Sequence, residues 1–277
     1  MRVKRSIALP EEAAFHYLWR CVDKAFFLTL AFYKAMFLDS FFKFHKRSMG
    51  MVAAYSYCVM SNHFHMVAEL LGGPDWMSKW AHSGHTSFSV KFNRREERIG
   101  PVGADRFKSV VIEDDESIMY TMFYGDWNPV AAGMVSHPRE YEYSSYRFYA
   151  YGEVNRWTEY LTRPKWYMDL ADTDEERQRL YREMAELWWV KHGKSKTHSN
   201  KRKLDYAPAF GSKAFANERV VLISALARAE KRGMEYRDDV IEMMERVMHR
   251  PTNRESPVVV SHKVKWRGAT EWEPPEA

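Results

Sequence analysis

The chain has 277 residues, of which 45% are hydrophobic and 29% charged, and its formal net charge at pH 7 is +5. This composition is typical of a soluble globular protein with one large or two small domains, and the weakly basic balance is compatible with an anionic partner. The richest apolar run starts at Ala25 but is interrupted by Lys34, so it falls short of the roughly 20 residues that cross a bilayer. No apolar signal core follows the N-terminus, and the two cysteines, Cys21 and Cys58, lie in apolar stretches. We therefore expect a cytoplasmic protein with buried, reduced thiols and no membrane partner.

The first 70 residues carry the signals of a strand, a helix and a hairpin. In residues 13–22 every second side chain is aromatic or otherwise apolar, which predicts a strand with one packed face. Residues 32–46 are dense in phenylalanine and are interpreted as a helix. In residues 57–70, YCVMSNHFHMVAEL, the β-branched and aromatic residues favour extended structure, and Ser61-Asn62 is interpreted as a hairpin turn.

The next 60 residues add two helices and a strand. Apolar positions predict a helix over residues 74–93, with Gly84 indicating a break within it. Residues 106–114 are predicted to form a strand. Asp114 marks the start of the following helix and Pro129 its end. The resulting order of elements indicates an α+β fold in which helices cover one face of an antiparallel sheet.

Beyond residue 160 the sequence changes in character, and we place a domain boundary there, between residues 1–160 and 161–277. The second region is predicted to be mainly helical, with a capping box at 173–176 and helical periodicity at 213–232 and 236–249. Between these lies a basic segment at 191–203, KHGKSKTHSNKRK. It is interpreted as a linker or exposed loop, and an arm that contacts phosphates is the alternative. We expect this region to contribute affinity for an anionic partner without chemistry.

His63 and His65 flank a single phenylalanine in the second strand of the predicted hairpin. Residues i and i+2 of a strand point to the same face, about 7 Å apart. Both imidazoles can therefore converge on one metal ion, at metal–nitrogen distances of about 2.0–2.2 Å. The alternative is that both histidines lie on the polar face of a strand and bind nothing.

Tyr124 and Asn128 are four residues apart in the predicted helix, so they share a helix face. A hydroxyl nucleophile and an amide-oxygen ligand would then lie side by side, facing a metal held by the two histidines. Gly125 between them costs the helix about 1 kcal/mol relative to alanine. Tyr120, one turn earlier, is the rival nucleophile.

With these motifs the chain resembles the single-tyrosine HUH nucleases, and among them the IS200-like REP-associated tyrosine transposases. The matching stretches lie within the first 150 residues, in the family's order, at residues 16–20, 57–70, 100–109 (GPVGADRFKS) and 124–146. The last contains NPVAAG and YEYSSY, which are similar to the family's Asn-Pro-x-x-Ala-Gly and Tyr-x-x-Ser-Ser-Tyr patterns.

The resemblance implies the ferredoxin-like fold that HUH nucleases share. It also implies a metal-dependent single-stranded DNA endonuclease and strand transferase, a transposase that acts next to DNA hairpins through a 5′-phosphotyrosine. Carried over by position, His63, His65 and Asn128 are metal ligands and Tyr124 is the nucleophile. Two imidazoles and an amide oxygen suit Mg²⁺ or Mn²⁺ better than a structural zinc site. Single-stranded or hairpin DNA is the implied partner, and both a monomer and a homodimer remain open.

Basic residues around the matching stretches are the expected DNA contacts. Arg106 and Lys108 lie on either side of Phe107, in a stretch that resembles the family's Arg-Phe-Lys-Ser pattern, and are expected to share a strand face and hold the DNA backbone. The other expected contacts are Arg20, Arg2, Lys4 and Arg5. Surface salt bridges or simple solvation are the alternative for these residues.

Two positions depart from the family pattern. Gly125 follows the tyrosine at a position where a β-branched or aliphatic residue is usual. Ala131 occupies a position where an arginine is usual, and the loss of that arginine removes a cation near the phosphate. One alternative function is therefore a catalytically inert, sequence-specific DNA-binding protein derived from a transposase, which would form no covalent adduct. Another is a hydrolase whose metal activates water, which would tolerate the loss of Tyr124.

Overall fold

The computed structural model describes residues 9–10, 12–193, 209–232, 258–260 and 263–265. Its strands are β1 (Ala14–Arg20), β2 (Val52–Val59), β3 (His63–Leu70), β4 (Lys108–Ile112), β5 (Ala209–Phe210), β6 (Val258–Val260) and β7 (Lys263–Lys265). Its helices are α1 (Ala31–Phe42), α2 (Asp75–Arg95), α3 (Asp115–Ala131), α4 (Tyr146–Tyr151), α5 (Lys165–Met168), α6 (Asp174–Trp188) and α7 (Lys213–Arg232). Three sets of sequence predictions lie outside the described residues: Arg2, Lys4 and Arg5; most of the basic segment 191–203; and the helix at 236–249.

The main sheet has the strand order β2-β3-β1-β4-β5. All neighbours are antiparallel except β4 and β5, which are parallel. Strands β1 to β4 alternate with α1 and α2 in the order βαββαβ, the ferredoxin-like arrangement. The predicted α+β class and the hairpin at Ser61-Asn62 are thus confirmed. The two strands β6 and β7 pair with each other in a separate small sheet.

Helices cover both faces of the sheet, which differs from the prediction that they cover one. On the first face, α1 and α2 pack against alternate residues of β1 and β3, such as Tyr17 and Phe64. On the second face, α3 packs against Ala14 and Val67, and α4 to α6 extend the same core. The prediction failed because helices α3 to α6 follow the βαββαβ unit and bury the face that α1 and α2 leave open.

Helix α3 begins as predicted but ends later. The Asp114 side chain accepts a hydrogen bond from the Ser117 backbone N–H at 2.8 Å, which caps the first turn. Pro129 lies inside the last turn instead of ending the helix. The chain leaves the helix at Gly133, whose φ is +68°, with bonds from Gly133 N to Val130 O and from Met134 N to Pro129 O, both 2.9 Å. These two bonds form a Schellman cap, so Gly133 terminates the helix.

The N-cap of the predicted capping box at the start of α6 is confirmed, since the Thr173 hydroxyl accepts from the Glu176 N–H. Helix α6 buries Leu180 and Tyr181 in the same core as Phe123 of α3. Residues immediately beyond 160 therefore complete the second face of the sheet. Both cysteines are free and buried, as predicted, and no helix among the described residues is long and apolar enough to span a membrane.

Gly84 permits close packing of two helices and does not break α2, which is continuous. A Cβ at this position would lie 2.9 Å from the Cα of Phe41 in α1. Gly125 of α3 is the opposite case, because a Cβ there would meet nothing within 4 Å. Helix packing therefore requires a glycine at position 84, whereas no contact requires one at position 125.

We predict that alanine at these two positions changes stability in opposite directions. Gly84→Ala should lower the free energy of unfolding by about 1–3 kcal/mol, because the backbone of α1 cannot yield to an overpacked contact. Gly125→Ala should raise it by up to about 1 kcal/mol, from helix propensity alone. Urea denaturation monitored by circular dichroism measures both, and a stabilising Gly84→Ala would contradict the packing argument.

Candidate functional site

The β2–β3 hairpin places His63 and His65 on the second face of the sheet, as the strand spacing predicts. Their ring centroids are 4.7 Å apart. His63 is half-buried, whereas His65 is only 2% exposed. His65 is therefore not the surface residue that a polar strand face suggested, and its polar ring atoms must be satisfied inside the protein.

The side chain of Asn62 sets the tautomer of His63. Asn62 Nδ2 donates to the backbone carbonyl of Lys24 at 3.0 Å, and because a carbonyl only accepts, the orientation of the amide is determined. Asn62 Oδ1 then faces His63 Nδ1 at 2.6 Å. Since an amide oxygen also only accepts, Nδ1 of His63 carries the hydrogen. In the neutral ring, Nε2 is left with its lone pair.

His65 lies between β1 and α3. Its Nε2 is 3.0 Å from Nδ2 of Asn128, and its Nδ1 is 2.8 Å from Nε2 of His16. His16 and Asn128 are both buried, with exposures of 1% and 5%. Asn128 is thus in contact with His65 across the sheet–helix interface, as the predicted ligand set requires.

Tyr124 lies beside the histidines, and Tyr120 does not. The Tyr124 ring is 5.6 Å from the His65 ring and 6.2 Å from the His16 ring, edge-on to both. Tyr120 is buried against Trp188 and Phe210. Of the two tyrosines considered from the sequence, the structure therefore brings Tyr124 to the predicted metal ligands.

The donor set fits a small divalent cation. Among the residues that the structure describes, no three His, Cys, Asp or Glu side chains form a metal-binding group, so an ion held by His63 and His65 would need a further donor, and the Asn128 amide is in contact with His65. The Asn128 amide terminus lies 3.0 Å from His65 Nε2, at hydrogen-bonding distance, so these two side chains would face the same ion. A rotation of that amide by half a turn would present its oxygen in place of its nitrogen.

Arg20 and Lys108 lie on the same face as the histidines. Arg20 is the cross-strand partner of His63, and Lys108 pairs with Leu18, which in turn pairs with His65. Lys108 is exposed and lies two strands from His65, about 9.5 Å across the sheet. Both residues are therefore near enough to the histidines for long side chains to contact the same phosphate backbone.

Arg106 is separated from Lys108, contrary to the expectation that they share a strand face. Strand β4 begins only at Lys108, so Arg106 belongs to the preceding bend. There it lines a cavity of about 620 Å³ together with Trp19 and His85. Trp19 packs against α1 and α2 in the core of the first face, so this cavity lies away from the two predicted ligands.

His16, Asn62 and Asp126 were not among the residues predicted for the site. Asn62 directly precedes His63, so a contact between the two side chains could have been predicted from the sequence. His16 contacts His65 only because β1 and β3 pair in one register, in which His16 faces Val67 and Leu18 faces His65. The two histidines are therefore diagonal neighbours on one face.

Asp126 connects the site helix to α6. Its carboxyl is 1% exposed and accepts a hydrogen bond from the Tyr181 hydroxyl at 2.5 Å. Burial raises the pKa of Asp126 to about 8, against a smaller lowering by the Tyr181 bond. Asp126 lies between Tyr124 and Asn128 in α3, so this bond helps to fix the part of the helix that carries both residues.

Comparisons with known proteins give a partial structural match and no sequence match. No family model matches the chain, and no curated protein matches its sequence. One solved structure that matches is that of a REP-associated tyrosine transposase bound to a REP hairpin, with 20% identity and a TM-score of 0.42. The match covers 56% of this chain and 89% of the other. A similarity this low decides neither family nor activity, so the function has to be inferred from the residues of the site.

We predict that Asp126 makes the stability of the protein fall as pH rises. The unfolded carboxyl titrates near 3.8 and the folded one near 8, so between these values the folded state binds more protons. Its free energy of unfolding should fall across this window, by up to about 6 kcal/mol, and level off above about pH 8. Asp126→Asn should remove most of this slope while keeping an acceptor for Tyr181. Urea denaturation of both proteins from pH 4 to pH 9 measures it, and parallel curves would contradict the assignment.

Proposed function

We propose that the chain is a metal-dependent single-stranded DNA endonuclease and strand transferase that acts through Tyr124. The observation that carries this proposal is the convergence of Tyr124, His65 and Asn128 at one point between β3 and α3. The site joins a phenol, an imidazole with its Nε2 turned toward the helix, and an amide. These are the parts that the sequence motifs, through their resemblance to REP-associated tyrosine transposases, associate with a phosphotyrosine mechanism.

In this proposal the Tyr124 hydroxyl is the nucleophile. Its oxygen attacks the scissile phosphorus, a Tyr124 Oη–P bond forms, and the P–O3′ bond breaks. The 3′ oxygen leaves with a proton, and the phenolic proton is lost to solvent or to a neighbouring base. The 5′ phosphate stays on Tyr124 as a phosphodiester, so a 3′-hydroxyl can reverse the step on another strand without an external energy source. No redox change accompanies the exchange.

The chain's own residues prepare this step by orientation. His63, His65 and Asn128 would hold Mg²⁺ or Mn²⁺, which when bound would supply polarisation of a non-bridging phosphate oxygen. Asn62 keeps the Nε2 lone pair of His63 available. An ordinary tyrosine hydroxyl has a pKa near 10 and is a weak nucleophile at neutral pH, so correct placement of Tyr124 against the phosphate is the main contribution of α3.

The proposed substrate is DNA that is single-stranded at the cleaved phosphate, next to a hairpin. Arg20 and Lys108 lie on the face of the sheet that carries the histidines, and we assign them to the phosphates on either side of the site. Such contacts give affinity without reading sequence. Arg106, at its separate cavity, would reach a different part of the DNA.

The alternative function is a catalytically inert DNA-binding protein, and detection of a covalent adduct would exclude it. Its motivation was the pair of departures at Gly125 and Ala131. The space around Gly125 is open and Ala131 is exposed at the end of α3, and the helix is continuous across both positions. The hydrolase alternative differs in that it leaves Tyr124 without a role.

We predict that Tyr124→Phe abolishes covalent attachment to DNA, because the ring keeps its packing and loses only the attacking oxygen. Tyr120→Phe is the matched control and should retain the adduct, since that ring is packed against Trp188 and Phe210. The assay incubates labelled single-stranded hairpin DNA with Mn²⁺ and detects the adduct by denaturing electrophoresis. An adduct with the Tyr124 variant but not with the Tyr120 variant would reverse the assignment, and no adduct with the wild-type chain would favour the inert binder.

We predict that Lys108→Ala weakens DNA binding in a salt-dependent way without preventing adduct formation. Loss of one phosphate contact should reduce the slope of log affinity against log salt by about 0.7 on single strands. Lys46 is the control, because it is exposed and lies beyond the opposite ends of β2 and β3, in the turn that precedes Met51. Equal slopes for the two variants, measured by fluorescence anisotropy over a salt series, would remove Lys108 from the DNA-binding surface.

A further inference from the structure

His16 is a buried residue that contacts a proposed ligand and has no part in the proposed reaction. It is 1% exposed, and its ring lies nearly parallel to that of His65, with centroids 4.9 Å apart and planes 8° apart. Its Nε2 lies 2.8 Å from Nδ1 of His65. The contact joins β1 to β3 from diagonal positions on the face that carries the site.

This contact couples the tautomers of the two rings, because one of the two facing nitrogens has to carry the hydrogen and the other has to accept it. A neutral histidine that binds a metal through Nε2 must carry its hydrogen on Nδ1, and that hydrogen needs an acceptor when the ring is buried. His16 presents its Nε2 to His65 Nδ1 at hydrogen-bonding distance. A donor–acceptor pair results when His65 Nδ1–H points to His16 Nε2, and His16 then carries its own hydrogen on Nδ1.

The tautomer of His65 decides whether its Nε2, which faces Asn128, can bind a metal. A buried His65 that lost its acceptor on the β1 side would leave an unpaired Nδ1–H, which is unfavourable inside the protein. The other tautomer, with the hydrogen on Nε2, would avoid that cost by donating to the Asn128 amide oxygen. It would also place a hydrogen where the metal has to bind. The ring nitrogen that binds metal is therefore decided by the hydrogen bond at the other one.

We propose that His16 is a positioning residue that holds His65 in the Nδ1–H tautomer, with the Nε2 lone pair directed toward Asn128. The proposal deepens the proposed function, on which it rests for the presence of a metal. It parallels the arrangement at the neighbouring ligand, where the Asn62 amide oxygen holds Nδ1–H of His63. Both histidines are then oriented before any metal binds.

The experiment compares two substitutions at position 16. His16→Gln can place an amide oxygen near the position of Nε2 and so retain an acceptor, whereas His16→Leu removes it and keeps an apolar volume. His85→Leu is the control for loss of a half-buried histidine of α2 that packs on the other face of the sheet. Its ring stacks on Trp19 and hydrogen-bonds Tyr17 on the opposite face of β1.

Two readouts separate positioning from simple packing. Long-range ¹H–¹⁵N NMR of the metal-free protein reports the tautomer of His65 and is independent of catalysis; we expect Nδ1–H in the wild type, His16→Gln and His85→Leu, and Nε2–H in His16→Leu. Mn²⁺ titration followed by electron paramagnetic resonance should show affinity about 10–100-fold weaker in His16→Leu and largely restored in His16→Gln. Spin-echo modulation should show two coordinated imidazoles in the wild type.

Several results would overturn the proposal. They are an Nε2–H tautomer of His65 in the wild type, an unchanged Mn²⁺ affinity in His16→Leu, or three coordinated imidazoles, which would make His16 a ligand. If His16→Leu fails to fold, the wild-type tautomer and the His16→Gln affinity still decide the question. Absence of Mn²⁺ binding in every protein, with the expected tautomers present, would instead refute the metal in the proposed function and leave the orientation of His65 intact.

Discussion

The contact of His65 with Asn128 is the interaction on which the arrangement of the site depends. It joins two residues that are 63 positions apart in the chain, one in a strand of the sheet and one in a helix. The contact lies inside the core, where neither polar group can turn to water instead. Because buried polar groups require partners, the hydrogen bonds of His65 restrict the position of α3 more narrowly than apolar packing alone. Tyr124, one turn before Asn128, is placed by the same restriction.

The two faces of the sheet have different roles in the protein. The first face is covered by α1 and α2 and is dominated by aromatic residues, such as Phe37 and Trp80, which make a core with no role in the proposed chemistry. The second face combines apolar packing with the polar residues of the site. Helix α6 extends that packing, and its Tyr181 bonds Asp126 inside α3. The region after residue 160 therefore affects the site through the position of a helix, in addition to any contact that it makes with DNA.

The pairing register of the strands decides which basic side chains lie on the same face as the histidines. Arg20 and His63 are cross-strand partners because β1 and β3 are antiparallel and aligned without a shift. Lys108 is the first residue of β4 and joins the same face, whereas Arg106 is in the bend before it. Two cations that are adjacent in a sequence pattern thus serve different surfaces, since strand alternation applies only inside the strand.

Local patterns in the sequence were sufficient for the elements themselves. Alternation predicted β1, the His-x-His spacing predicted a shared face, and Asp114 and Thr173 correctly marked the starts of α3 and α6. These signals depend on neighbours within a few residues, so they can be read without knowing the fold. The helix end at Pro129 and the break at Gly84 were wrong, because a Schellman cap at Gly133 and the approach of Phe41 decide those positions.

The sequence by itself determined the α+β class and the pairing of motifs that suggests a nuclease. Only the tertiary structure decided that helices cover both faces, that His65 is buried, and that His16 and Asn62 are the groups beside the two proposed ligands. The physical reason is that burial and hydrogen-bond partners depend on strand register and helix placement. Both are set by the sum of many contacts between residues far apart in the chain, and no local spacing records them.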